Sequence, residues 1–177
     1  MMDFKEYREK AYEYMKNKCI IENNIKILEE QGVFVKQWGE SSGRLTIRQG
    51  MTTKEMKAIE DEYNVCFALG GSKFVDFDFN EKDNNTNNKL LKEIRDAQKN
   101  TSDLYNNYFK EVLQSVYQST EICGKRHKVE LGRRFWGFMI QDIDKLTLDE
   151  IIEIEKETDS IFVNYDVTNG YHFNFNK

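Results

Sequence analysis

Met51-Thr52-Thr53-Lys54-Glu55-Met56 recurs in kind as Leu146-Thr147-Leu148-Asp149-Glu150-Ile151, 95 residues further along the chain. Each stretch is marked as a helix start. Threonine occupies the N-cap, glutamate follows three residues later to complete a capping box, and an apolar pair takes the positions of a hydrophobic staple. Glu55 and Glu150 are therefore structural residues. Ile59, Glu60 and Glu62 are matched at the same offset by Ile154, Glu155 and Glu157. Beyond the helices Val65, Phe67, Val75, Phe77 and Phe79 fall on Ile161, Val163, Tyr171, Phe173 and Phe175 at an offset of 96, which puts one inserted residue between helix and strand. These matches predict an α+β chain, with two copies of an antiparallel ββαββ unit over residues 33–80 and 128–176 and two long helices in one compact body. The helix and first unit would occupy 1–80, the helix and second unit 81–177. Two similar surfaces on one chain suit a pseudo-dimeric binder at least as well as an enzyme.

The long helices are read from period. Phe4, Tyr7, Ala11, Tyr14, Ile21, Ile25 and Leu28 recur at four- and three-residue steps, broken only at Lys18, and Gly32 stands where a C-terminal cap belongs. That predicts one helix over 3–31. Residues 87–122 carry a similar apolar stripe, including Leu91, Ile94, Leu104, Tyr108, Val112 and Tyr117, with a kink expected at Asn100-Thr101-Ser102-Asp103. The Asn-rich stretch 83–88 reads as the loop between the halves.

The last hairpin is read from parity. Ile161, Val163, Tyr165 and Val167 alternate, and Tyr171, Phe173 and Phe175 join them on one buried face if Thr168, Asn169 and Gly170 form a three-residue loop. Val167 then opposes Tyr171, Tyr165 opposes Phe173, and Gly170 takes positive φ. Asn164, Asp166, His172 and Asn174 face outward, as do Asp76 and Asp78 in the first copy.

With 177 residues, 39% hydrophobic and 32% charged, the composition is that of an ordinary globular protein with enough aromatic area for a good core. No run approaches the roughly 18 apolar residues of a membrane span, and the first residues are too charged for a signal peptide. A cytoplasmic protein with no membrane partner is expected, a monomer or a homodimer. Cys19, Cys66 and Cys123 are odd in number and form no C-x-x-C pair, which fits reduced thiols and no zinc site. The absence of proline and the wealth of Lys, Asn, Ile, Glu and Tyr point to an AT-rich genome, such as that of a low-GC bacterium or its phage.

Catalytic frames are missing. There is no G-x-S-x-G, P-loop or H-E-x-x-H, and Gly70-Gly71 precedes a strand and so reads as a turn rather than a phosphate cradle. The only histidines are His127, in a basic stretch, and His172, on a strand. No cofactor and no metal is expected, and a metal enzyme built on Asp76, Asp78 and His172 ranks last among the readings.

Charge is the more informative signal. The net charge is −5, yet Lys125, Arg126, Lys128, Arg133 and Arg134 against Glu130 leave the 125–134 segment at +4, while the 142–166 segment stands at −7. On the second short helix Ile151 and Ile154 point inward, and Asp149, Glu153 and Glu157 project along an outer stripe flanked by Asp142 and Asp144. Such a row of carboxylates can imitate backbone phosphates and occupy a basic groove. The basic segment, followed by Phe135, Trp136 and Phe138, has the mixture used by single-stranded nucleic-acid sites, but the acidic total places direct nucleic-acid binding second.

In size, acidity, composition and lack of a catalytic frame, the chain is similar in type to the small inhibitors that phages and mobile elements deploy against host nucleases, anti-CRISPR proteins among them. What this implies is a non-enzymatic inhibitor of a host nucleic-acid-handling protein, or the related case of an immunity protein that neutralises a toxin.

Overall fold

The computed structural model describes residues 3–37, 42–80, 85–113, 117–132, 137–141 and 144–176. The fold is α+β with two antiparallel sheets, one of four strands and one of five. None of the described helices is long and apolar enough to cross a membrane. The chain divides into two compact units, Lys16–Asp103, and Met1–Met15 with Leu104–Lys177. Helix α1 (Phe4–Glu30) contributes Phe4, Tyr7 and Ala11 to one core and Leu28 to the other, and Leu91 and Ile94 of α3 (Lys89–Leu104) are buried with the four-stranded sheet. Gly32 closes α1 at φ +83°, a conformation that costs a residue without Cβ little.

The four-stranded unit contains β1 (Val33–Gln37), β2 (Gly43–Ile47), α2 (Thr53–Tyr63), β3 (Val65–Gly70) and β4 (Val75–Phe79), with the strands in the order β1-β2-β4-β3. Alternation places Leu45, Ile47, Val75, Phe77 and Phe79 in the core beside Leu91 and Ile94. Asn88 starts α3 by accepting the Leu91 N–H on its side chain at 3.1 Å.

The five-stranded unit contains β5 (Gln118–Ile122), β6 (Lys125–Leu131), β7 (Gly137–Ile140), α5 (Leu148–Thr158), β8 (Ser160–Asp166) and β9 (Gly170–Phe175), in the order β5-β6-β7-β9-β8. Omitting β5, which lies at the edge, the order β6-β7-β9-β8 repeats that of the smaller sheet. Phe138 and Phe173 stack at 5.0 Å between ring centroids, and Tyr7 and Phe109 meet edge to face on the same core.

The structure corrects the second long helix in two places. Asn100–Asp103 causes no break, because α3 runs through to Leu104 and Thr101 returns its hydroxyl to the Gln98 carbonyl. The irregularity comes later, as a π-helical stretch, Tyr105–Phe109, before the short α4 (Lys110–Val112) ends the helix. Residues 118–122 are strand rather than helix. Thr120 and Ile122 alternate inward, and Cys123 and Gly124, both at positive φ, make the two-residue turn to β6 that joins Ile122 to Lys125.

The third correction concerns β8. Gly170 does take positive φ, and Tyr171, Phe173 and Phe175 are buried. Their partners differ from the parity argument, however, for Phe162 opposes Phe173 and Tyr165 opposes Tyr171, with a bulge between Phe162 and Asn164. Ser160 and Phe162 therefore take the inward positions, and Ile161, Val163, Tyr165 and Val167 are exposed. A bulge shifts parity by one residue, which simple alternation cannot anticipate.

Candidate functional site

Helix α5 is fixed at both ends by short-range bonds. The Thr147 hydroxyl accepts the Glu150 N–H at 3.3 Å, and the Glu150 carboxylate accepts the Thr147 N–H at 2.8 Å. At the other end Asp159 is left-handed at φ 46°, and the Thr158 hydroxyl bonds the Ile154 carbonyl. Ile151, Ile154 and Thr158 are buried, so the helix has two free flanks.

One flank faces the β5–β6 hairpin and brings together residues that the sequence places in opposed charge patches. Glu150 pairs with Lys125, and the Glu157 carboxylate accepts the Cys123 N–H at 2.8 Å. The Lys125 ammonium, with the Thr147 N–H and hydroxyl, holds the Glu150 carboxyl at about 2, below its usual 4.5, and Glu150 in turn raises Lys125. Burial, the hydrogen bond with Glu157 and the nearby carboxylates push the Cys123 thiol up to about 12. Glu157 thus braces a turn. Of the proposed acidic stripe, Asp149 and Glu153 stand exposed on α5, Asp144 lies in the neighbouring cleft, and Asp142 falls outside the described residues.

That cleft, of about 720 Å³, is lined by Lys125, Arg126, Lys128 and Lys145 against Asp144 and Glu150. Lys128 lies over the Tyr117 ring, with its Nζ 4.0 Å from the centroid, and His127 is buried in the strand. Arg133, Arg134, Phe135 and Trp136 fall outside the described residues.

The opposite flank of α5 is apolar and open. Leu148 is 75% exposed and Ile152 43% on the helix, and Tyr165 of β8 is 51% exposed. A groove of about 470 Å³ opens here between Leu148 and Ile151 of the helix and Phe162, Tyr165 and Tyr171 of the sheet. Its floor is held by the Tyr171 hydroxyl, which accepts the Leu146 N–H at 2.9 Å. Sequence reasoning missed this surface by turning the β8 row inward. A signal was available, because Leu148 and Ile152 lie four residues apart and off the face defined by Ile151, Ile154 and Thr158.

Asp76 and Asp78 have their own counter-charge. Arg44 bonds Asp78 at 3.0 Å and Asp76 at 3.5 Å, and the Thr46 hydroxyl donates to Asp76 at 2.6 Å. His172, the third member of that imagined site, belongs to the other unit and is half-buried on β9. Among the described residues no group of three His, Cys, Asp or Glu side chains is arranged to hold a metal.

Comparisons with protein-family models, curated proteins and solved structures find no match to this chain.

The Glu150–Lys125 pair sets an expectation for pH. A carboxyl whose folded pKa lies below its ordinary 4.5 contributes stability above that value and loses it as pH falls towards about 2. Glu150→Gln keeps a capping side chain and removes the charge. The stability gap between wild type and Glu150→Gln should be full above about pH 5 and close on acidification to pH 2, and salt should narrow it at pH 7 because the pair is solvent-accessible. Urea titrations over that pH range measure it. A gap that does not change with pH would mean that the pair contributes nothing.

Proposed function

We propose that this chain is a non-enzymatic binding protein that uses the outer side of α5 to occupy a basic groove on a nucleic-acid-handling host protein, and so acts as an inhibitor. The observation that carries this reading is the exposed row of Asp149 and Glu153 beside Leu148 and Ile152. A charged rim next to an apolar strip is what a protein interface requires: burial of the strip supplies affinity and the carboxylates supply steering and register.

We further propose that the two ββαββ segments descend from one module. In support, both short helices carry a capping box on Thr52 and Thr147 and end in a left-handed residue, Asn64 or Asp159. Glu60 accepts the Phe67 N–H at 2.8 Å as Glu155 accepts the Phe162 N–H at 2.7 Å. Both edge strands bulge immediately after those phenylalanines. Phe67 opposes Phe77 and Phe162 opposes Phe173, so the extra residue belongs in the hairpin loop and not between helix and strand.

The comparison between the copies supports a functional role for the α5 surface. Where α5 has Leu148, Asp149, Ile152 and Glu153, α2 has Thr53, Lys54, Lys57 and Ala58 at the same offset. The module folds without the apolar and acidic residues. Grafting the α2 residues onto α5 (Leu148→Thr, Asp149→Lys, Ile152→Lys, Glu153→Ala) should therefore leave stability within about 1 kcal/mol of wild type and abolish capture of the host protein. Circular dichroism melting and pull-down from the native host measure the two effects. A graft that unfolds would make the surface structural, and one that still captures its partner would remove α5 from the interface.

The second reading, a single-stranded nucleic-acid site, is favoured by the cationic cleft and the Lys128–Tyr117 stack. Tight binding of short single strands that is lost in Arg126→Glu with Lys128→Glu, and kept in the α5 graft, would replace the first reading by this one.

A further inference from the structure

Lys145 stands on the wall of two cavities at once. It lines the cationic cleft beside Lys125, Arg126 and Lys128, and among the described residues it is the one charge on the wall of the 470 Å³ groove. The other walls of that groove are apolar, with Leu146, Leu148 and Ile151 on one side and Phe162, Tyr165 and Tyr171 on the other. The carboxylates of α5 stand off this wall: Asp149 and Glu153 do not line it, and Glu153 acts on Lys125 and Cys123 at the other flank of the helix. Lys145 is exposed and forms no ion pair among the described residues. Most polar groups along the groove are already used within the protein. The Leu146 N–H is held by the Tyr171 hydroxyl, and the Thr147 hydroxyl and N–H are taken up with Glu150 in the capping box. Small-ligand sites are commonly cavities of about 300–1,000 Å³ with apolar walls and a few polar groups that fix orientation, and this groove has that form.

We infer that the groove takes a single-chain amphiphile with an anionic head, of the free fatty acid class, its chain against Leu148, Phe162 and Tyr165 and its carboxylate at Lys145, where the apolar wall meets the cationic cleft. This site goes beyond the α5 reading and does not need it. Charge and polarity select the occupant. A cationic amphiphile would meet Lys145, and an anionic membrane surface is opposed by the net charge of −5. A nucleic-acid base would bury polar edges against walls whose own polar groups are engaged, which a hydrocarbon chain does not.

The test uses the full chain with decanoate and decyltrimethylammonium, which share a chain and differ in the sign of the head, both below their micelle concentrations. Titration calorimetry should show one saturable site that takes decanoate at least about tenfold more tightly than the cation. Lys145→Gln should bring the two to within about threefold of each other by removing the Coulomb preference. Tyr165→Ser should weaken both by about tenfold, because the chain loses apolar wall. In amide NMR spectra the shift changes should gather at residues 145–151 and 162–171. Both side chains are exposed, so neither variant should alter the melting temperature. If Tyr165→Ser melts early, Lys145→Gln and the shift map decide.

Binding that does not saturate, equal affinity for the two amphiphiles, a preference untouched by Lys145→Gln, or shift changes centred elsewhere would overturn the inference. So would a peptide alternating leucine with glutamate that binds the same amides more tightly than decanoate, because the groove would then belong to an acidic protein segment. Leu148 lies in both the groove and the α5 graft, so Lys145 and Tyr165, which the graft leaves unchanged, carry the test. Each of these results leaves the α5 reading standing. That reading fails separately, if the α5 graft still captures the host protein.

Discussion

Gly137→Ala is expected to unfold the five-stranded unit. Gly137 opens β7 opposite Asn174 of β9, and a Cβ added there would lie 1.9 Å from the Phe173 carbonyl oxygen and 2.9 Å from the Asn174 Cα. Those atoms are backbone of the central ladder and cannot swing aside as a side-chain end would. To admit the methyl group, β7 and β9 must separate, and the same ladder carries the Phe138–Phe173 stack. Loss of ladder bonds together with core packing should cost about 4 kcal/mol or more, a large part of the roughly 5–15 kcal/mol that keeps a domain folded. Urea titration followed by circular dichroism measures it. A loss below about 1 kcal/mol would mean that β7 and β9 are not paired in this register.

Phe77→Ala is expected to be the most damaging truncation in the four-stranded unit. Phe77 is fully buried on β4, opposite Leu45 on one side and Phe67 on the other. Removing the ring leaves a cavity in the middle of a sheet whose inward row has no flexible residue to fill it, so the cost should be about 3–5 kcal/mol. Phe77→Leu should cost about 1–1.5 kcal/mol, because most of the volume is kept. Phe67 provides the contrast. It touches the same ring edge to face but is 48% exposed, so Phe67→Ala should cost much less than Phe77→Ala. Equal losses at the two positions would contradict the burial pattern of this sheet.

The proposed surface has a particular relation to stability. Leu148 and Ile152 are apolar side chains left in water, and the capping geometry around them is complete without them. Substituting them with polar residues should cost little folding energy, in contrast with Gly137 and Phe77. A position that tolerates change in stability but not in binding identifies an interface, which is why the α5 graft is informative.

The starts of the short helices and the end of α1 were legible because they depend on bonds between residues a few positions apart. Thr52 with Glu55, Thr147 with Glu150, and Gly32 after α1 act within one turn, and the structure has each of them as the sequence predicts. The inward rows Val75, Phe77, Phe79 and Tyr171, Phe173, Phe175 were legible for a similar reason, since a side chain and its second neighbour share a face whatever lies above them. The β5 strand was legible in principle, through the Cys123-Gly124 turn, but the helical stripe before it was extended too far.

Long-range packing determined the rest. The face that β8 buries depends on a bulge that is set by pairing with β9 and by the Glu155 carboxylate on the Phe162 N–H, bonds that join separate elements. The separation of acidic and basic segments along the chain became an ion pair and a braced turn once α5 lay beside the β5–β6 hairpin. Sequence by itself determined where this protein's helices begin and which rows of its inner strands are apolar, because those are contests between neighbours. Only the tertiary structure decided which charges cancel and which apolar side chains stay in water, because solvent exposure belongs to the packed surface and not to any stretch of chain.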